Sequence, residues 1–283
     1  MPADPPSSDL AAALELANKL LFQQLGQSTR ANEILAYGLE EDLLARKRAR
    51  QGPKIVTEAL AQVYSQNYED AIVATVFGRI GEGDRRFIEI GVENGIECNT
   101  RLLLQQGWRG LWIEGDGDHC AHIRKRFAAE IADRRLTLQH AFLTRENVNA
   151  AVAAAGFAGP VDFLSVDLDM NTHHIWRALE TNARVACIEY NANYPPGVAF
   201  EVPYKPDAMW DGSNWYGASL KALEAIGRAK EMALVGCDLM GVNAFFVAAG
   251  EAGDKFLAPF DAETHYEPAR YWPLKVRGHR RAK

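Results

Sequence analysis

The chain has 283 residues, 48% of them hydrophobic, so it can bury one substantial α/β core with an appendage. Its formal charge of -6 disfavours a nucleic-acid footprint over the whole surface, and Cys98, Cys120, Cys187 and Cys237, which form no CxxC pair, disfavour a zinc ribbon or a disulfide framework. The start MPADPPSSDL lacks the pattern of a secretory leader, and no run of about 18 apolar residues is present to span a bilayer, so the expectation is a cytoplasmic protein with reduced thiols and no nucleic-acid or membrane partner.

After a Pro-rich start, Leu10, Leu14, Leu21 and Leu25 recur at helical spacing, and helices are expected from Leu10 to Arg50, punctuated by Gly52-Pro53. A further helical pair is expected over Val56–Tyr64 and Tyr68–Ile80, with Asn67 and Asp70 at N-cap and N3 spacing. Residues 1–85 thus read as a helical extension. From Arg86 onward β-like runs alternate with helical stretches: Phe87–Gly91, Leu111–Glu114, Leu136–His140, Val161–Val166 and Arg184–Tyr190. That alternation signals a parallel sheet with crossover helices. Met232–Val235 and Asn243–Ala248 follow with a connection short enough for an antiparallel pair. The fold class is therefore α/β, a Rossmann-like, seven-stranded, mostly parallel sheet over residues 86–250. Residues 251–283 read as a tail whose basic end, Lys275–Lys283, is a solvated terminus. Between the fifth strand and the next helix, Asn191–Tyr216 is rich in Pro, Trp and Tyr and is expected to cover a substrate.

The segment FIEIGVENG places Glu89, Gly91 and Gly95 as ExGxxxG where a strand enters a helix. Glycines there let the backbone turn and approach a ligand at the crevice of the sheet. The spacing is not the GxGxxG of dinucleotide sites, and an acid at the turn suits a ligand carrying a sulfonium and an ammonium, not a pyrophosphate. Glu114 ends the next strand in GLWIEGD, 25 residues after Glu89, where a carboxylate can accept both hydroxyl hydrogens of a ribose. Asp116 reads as the N-cap of a helix over His119–Phe127, and Cys98, Asn99 and Thr100 as part of the helix after the glycine motif.

The stretches YSQNYEDAI, FIEIGVENGIECNTRLLLQQGWRGLWIEGD, VDFLSVDLDMNT, IEYNANYPP, WDGSNWYGASL and GVNAFFV lie within a span, Tyr64–Val247, that resembles an uncharacterised bacterial branch of class I S-adenosylmethionine-dependent methyltransferases, loosely FkbM-like. The resemblance implies that fold and cofactor, with Glu89, Gly91, Gly95 and Glu114 on the cofactor positions. It leaves the acceptor, a small molecule, unspecified. Oligomeric state also stays open, with a homo-oligomer among the alternatives.

Ligands of open α/β sheets bind outside the carboxyl ends of the strands. The fourth strand closes with Asp167 and Asp169 in SVDLDMN, and the fifth with Glu189 and Asn191 in IEYN. Such oxygens suit magnesium or manganese, which would hold an acceptor hydroxyl and lower its pKa, as in catechol-type O-methyltransferases. Asp167, Glu189 and Asn191 are then the metal ligands, with Asp169 a further ligand or their support. In the alternative, Asp167 and Asp169 cap the next helix and Glu189 binds substrate directly. Asp167, Asp169 and His173 are the candidate catalytic groups, His173 or its neighbour His174 offering a neutral imidazole near pH 7. Trp210, Asn214 and Tyr216, with Glu189 and Asn191, are the candidate acceptor contacts, because they combine flat apolar faces with hydrogen-bonding groups. Glu69 has no assigned role beyond closing the pocket or capping a helix. Three functions fit this sequence: methyl transfer to oxygen or nitrogen, cyclisation of the cofactor's aminobutyrate arm, and nucleotide binding without turnover.

Overall fold

A computed structural model describes residues 8–271. The basic end Lys275–Lys283 lies outside the described residues. The chain divides into two units, one containing residues 8–42 and the other Leu43–Tyr271. The described residues of the first unit are helical throughout. They are the greater part of α1 (Ser8–Gln51), a single helix where several were expected, since the segment is rich in Ala, Leu, Glu and Arg and contains no proline. Its end lies in the second unit, where Gly52, at φ 77°, donates its N–H to the Arg48 carbonyl at 2.8 Å and stops the helix.

In the second unit the elements follow as α2 (Glu69–Ile80), β1 (Arg86–Ile90), α3 (Arg101–Gln105), β2 (Arg109–Glu114), α4 (Gly117–Arg126), α5 (Ala128–Ala132), β3 (Leu136–His140), α6 (Val148–Ala154) and β4 (Val161–Val166). They continue with α7 (Thr172–Ala178), β5 (Ala183–Glu189), α8 (Leu220–Ala229), β6 (Met232–Cys237), β7 (Asn243–Ala248), α9 (Ala249–Ala252) and α10 (Ala262–His265). The seven strands form one sheet in the order β3-β2-β1-β4-β5-β7-β6. All neighbours are parallel except β7, which is antiparallel to both β5 and β6. This is the Rossmann-like sheet with a terminal antiparallel pair that the alternation of runs predicts.

The sheet is buried on both faces: β4 at its centre and β6 at its edge are buried along their whole length, and Phe87, Trp112, Phe163 and Phe245 pack one side while Ile88, Leu164, Ile188 and Phe246 pack the other. Such two-sided burial is what parallel strands covered by helices require. The tail expected from residue 251 is partly core, since Ala252, Phe256 and Ala262 are buried on the sheet's helical layers.

Two local expectations are corrected. Val56–Tyr64 is not helical. Ile55 and Val56 are buried, Val56 lies over Gly236, where an added Cβ would approach it to 2.3 Å, and Thr57 donates to the Cys237 carbonyl at 3.1 Å. Packing flush on β6 therefore decides the backbone, and local periodicity does not. Nor does Asn67 cap α2. Ser65 Oγ accepts the Asp70 N–H at 3.0 Å while Asp70 Oδ2 accepts the Ser65 N–H at 2.9 Å, with Tyr68 in the left-handed region at φ 71° between them. Asp70 Oδ2 also accepts from Val63 and Tyr64, so one carboxylate oxygen gathers the whole entry to the helix.

Candidate functional site

A cavity of about 700 Å³ opens beyond the carboxyl ends of β1, β2, β4 and β5, the place where a sheet of this order leaves a crevice. Nine carboxylates line it and, among the described residues, no Lys or Arg does. A polyanionic ligand would meet repulsion from every side, whereas a cation would meet attraction.

At the β1 end the chain turns at Gly91, whose φ is 79° and where a Cβ would lie 1.7 Å from the Asp167 carbonyl oxygen. Only glycine fits that approach between neighbouring strands. Gly95, at φ 75°, stands outside the cavity wall, and a Cβ there would press on Trp112 at 2.9 Å and Phe127 at 3.0 Å. Glu89 is buried and lines the cavity, but its oxygens are occupied by its own loop. Oε1 accepts the Asn99 N–H at 2.8 Å, and Oε2 accepts the Thr100 N–H at 3.0 Å and the Thr100 hydroxyl at 2.5 Å. This anchorage delays helix α3 to Arg101, so Cys98, Asn99 and Thr100 form the turn before it and not its first residues. Burial pushes the Glu89 carboxyl up to about 7, against the lowering effect of those hydrogen bonds.

Glu114, at the β2 end, accepts the Glu93 N–H on Oε2 at 2.7 Å and the Asp116 N–H on Oε1 at 2.8 Å. Each oxygen retains a second lone pair for a ligand hydroxyl. Asp116 caps α4 through the His119 N–H at 2.8 Å, as its spacing predicts. Phe142, after β3, completes this part of the wall and is more than half exposed.

At the ends of β4 and β5, Asp167, Asp169 and Glu189 bring carboxylate oxygens within 4.8 Å of one another. Asp169 stands at φ 47°, a left-handed position that aspartate tolerates. Neither aspartate caps α7: its N-cap is Asn171, and Thr172 Oγ1 accepts the Leu168 N–H at 2.7 Å. The Thr172 hydroxyl also donates to Glu189 Oε2 at 3.3 Å. Burial raises all three carboxyls above their ordinary range, Glu189 furthest, and for Asp167 and Glu189 the neighbouring negative charges add to it. Asp167 and Asp169 still present accessible surface to the cavity, so solvation moderates the shift for those two. The Asp167 charge is among the causes that raise Glu189, so the two carboxyls titrate together.

Asn191 is not brought to this cluster. It is fully buried, its Nδ2 donates to the Asn214 and Tyr216 carbonyls at 2.9 and 2.8 Å, and its Oδ1 accepts from Asn193. It therefore holds the base of the long loop. Tyr216 is buried with its hydroxyl 2.9 Å from that of Tyr271; Trp210 is half exposed and donates to the Ser213 carbonyl; neither they nor Asn214 lines the cavity. The loop reaches the wall through Pro206, Ala208 and Met209 instead. His173 lies beneath the loop, fully buried, with Nε2 3.3 Å from the Val202 carbonyl and Nδ1 without a partner. Burial drives its pKa down to about 3, so the imidazole is neutral, and it does not line the cavity.

Glu69, for which the sequence left open closing the pocket or capping a helix, and Asn243, for which it gave no role, also line the wall. Glu69 accepts the Asn67 N–H at 2.6 Å and the Asn243 amide at 2.9 Å, and Asn243 is the register partner of Glu189. Glu69 and Asn243 are 174 positions apart, and no spacing rule joins them; both lie in the stretches that carry the family resemblance.

No family model matches the chain, and no curated relative matches it. It is similar to several solved structures. The N-terminal domain of EvdMO1 with SAH bound is 13% identical, with 73% of this chain and 94% of that one covered at a TM-score of 0.40. The O-methyltransferase from Bacillus cereus in complex with SAH is 16% identical over 74% and 90% of the two chains, also at 0.40. The glycopeptide N-methyltransferase MtfA complexed with (S)-adenosyl-L-homocysteine is 13% identical over 68% and 95%, again at 0.40.

Proposed function

We propose that the chain is an S-adenosylmethionine-dependent methyltransferase that modifies an oxygen or nitrogen of a small molecule. The observation that carries this reading is the cavity at the strand ends, walled by carboxylates and presenting Glu114 where a ribose diol can be accepted. The donor set fits a sulfonium cofactor and disfavours a dinucleotide, whose pyrophosphate finds no cation among the described residues of the wall. Glu114 would hold the ribose hydroxyls, Phe142 offers a flat apolar face, and Glu89 fixes the loop from Gly91 to Thr100 that borders the ligand. When bound, this cofactor supplies a methyl carbon on a cationic sulfur, open to in-line displacement.

The chain's own part is to position the acceptor and to take its proton. Asp167 is the group we assign to that proton, because it faces the cavity and its raised pKa lies nearer neutrality than that of an ordinary carboxylate. Incubation with methyl-labelled S-adenosylmethionine and a metabolite pool tests the reading. S-adenosylhomocysteine with a labelled product is expected; methylthioadenosine would indicate cleavage of the aminobutyrate arm, and release of neither would indicate binding without turnover.

The approach of Asp167, Asp169 and Glu189 favours a second form of the same reaction, in which magnesium or manganese sits among them and polarises an acceptor hydroxyl. Asn191 is not in position to join that set. Turnover lost in chelator and restored by either metal would favour this form; full turnover in chelator and no metal by elemental analysis would remove it.

A further inference from the structure

Within the cavity, Glu69, Asn67 and Asn243 form a separate group of polar side chains that neither the cofactor contacts nor the proton-transfer role employs. Glu69 comes from the first turn of α2, ahead of the first strand, and is 1% exposed. Among the described residues its carboxylate accepts from neutral amide groups: the Asn67 N–H, Asn67 Nδ2 at 3.1 Å and Asn243 Nδ2. Behind it lies the fully buried Asp238, whose oxygens take the N–H groups of Met240, Val242 and Asn243 at the β6–β7 turn. Burial and then the nearby Glu69 push the Asp238 carboxyl up to about 7, and neither acid has a Lys or Arg within ion-pair distance among the described residues. Burying a carboxylate without a counter-charge is costly.

A second observation points the same way. Asn67 lines the cavity at 2% exposure and its Oδ1 accepts from no donor, although its Nδ2 is fixed on Glu69. Asn171, across the wall, has Nδ2 fixed on the Lys205 carbonyl at 2.9 Å and likewise leaves its buried Oδ1 without a donor. Both unmet atoms are acceptors, so what is missing from this wall is N–H or O–H and positive charge. Buried acceptors of this kind are nearly always satisfied by some partner.

We infer that Glu69 and Asn67 form a subsite for an ammonium group of the acceptor, which makes the substrate an amine-bearing cation. The inference rests on the methyltransferase reading of the cavity and adds the charge class of its second substrate. An ammonium has three donors and no acceptor, which matches a carboxylate flanked by an unpaired amide oxygen. The subsite stands apart from Asp167, Asp169 and Glu189 but joins them through Asn243, so one acceptor can meet both.

The test compares tyramine with 4-hydroxyphenylacetate, which place an ammonium or a carboxylate on similar phenol skeletons. Each is titrated calorimetrically into the full chain, in chelator, with and without S-adenosylhomocysteine. Tyramine is expected to bind at least about tenfold more tightly, a preference that shrinks in 0.5 M salt, where the Debye length falls to roughly half of its ~8 Å at 0.15 M. Glu69→Gln should remove most of the preference while the affinity for S-adenosylhomocysteine stays within about twofold. Should that variant unfold, Asn67→Ala, which removes the unpaired amide oxygen, is expected to reduce the preference in its place, since the other carboxylates of the wall also favour a cation in the wild type. Equal affinities, a preference for the carboxylate, no binding of either probe at millimolar concentration, or an undiminished preference in folded Glu69→Gln would each overturn the subsite. Failure of S-adenosylhomocysteine itself to bind would instead overturn the cofactor reading, whichever probe the protein prefers.

Discussion

Glu89 and Glu114, at the ends of β1 and β2, direct their oxygens to backbone N–H groups of their own loops, whereas Asp167, Asp169 and Glu189, at the ends of β4 and β5, chiefly face one another. The residue type is the same in both halves of the cavity. What differs is the supply of donors. The first half satisfies its carboxylates internally and so fixes a loop; the second leaves negative charge with few donors and so is ready for a proton, an acceptor or a cation. Carboxylates at strand ends thus divide into those tied to backbone donors of their own loops and those left with few donors.

Breaking the second half should have the largest effect. Asp167→Asn keeps the shape of the side chain and removes its capacity to take a proton, and kcat is expected to fall by about 10²–10⁴-fold with cofactor affinity little changed. Release of S-adenosylhomocysteine measures the first and calorimetry the second. A loss confined to cofactor affinity would merge the two halves.

In the first half, the buried Glu89 carboxyl has a folded pKa of about 7 against an ordinary value of 4.5. The unfolded chain therefore ionises first as pH rises, and the stability this group contributes is complete below about 4.5 and lost as pH climbs through 7. The slope of about 1.4 kcal/mol per pH unit makes the loss about 3 kcal/mol. Urea unfolding between pH 5 and pH 8 should show that decline, and Glu89→Gln should flatten it. An unchanged slope in the variant would assign the titration elsewhere.

Glu114→Ala is expected to weaken S-adenosylmethionine binding by about 1–3 kcal/mol, since hydrogen bonds from a charged acceptor are lost. Unchanged affinity would remove Glu114 from the cofactor contacts and leave it purely a loop anchor. The smallest effect belongs to Trp210→Ala, at a half-exposed position whose indole N–H reaches only the Ser213 carbonyl. Thermal unfolding should shift stability by less than about 0.5 kcal/mol, as at other surface positions.

The sequence by itself determined the sheet: the apolar runs that became β3, β4 and β7 have the limits their patterns predict, and the other four strands differ only at their ends. Strand runs between helices are a local signal, repeated along the chain, and each repeat reinforces the others. It also placed Glu89, Gly91, Glu114, Asp167, Asp169 and Glu189 at one edge, because strand ends in such a sheet share an edge. Only the tertiary structure decided which way side chains turn once they are there. Asn191 is two residues beyond Glu189 yet points into the loop base, where two carbonyls await its amide, and His173 is four residues beyond Asp169 yet lies sealed beneath Val202. Val56–Tyr64 lost its expected helix to the surface of β6, and Glu69 gained its partner from 174 residues away. Spacing reports neighbours along the chain, whereas burial and hydrogen-bond satisfaction are settled by neighbours in space.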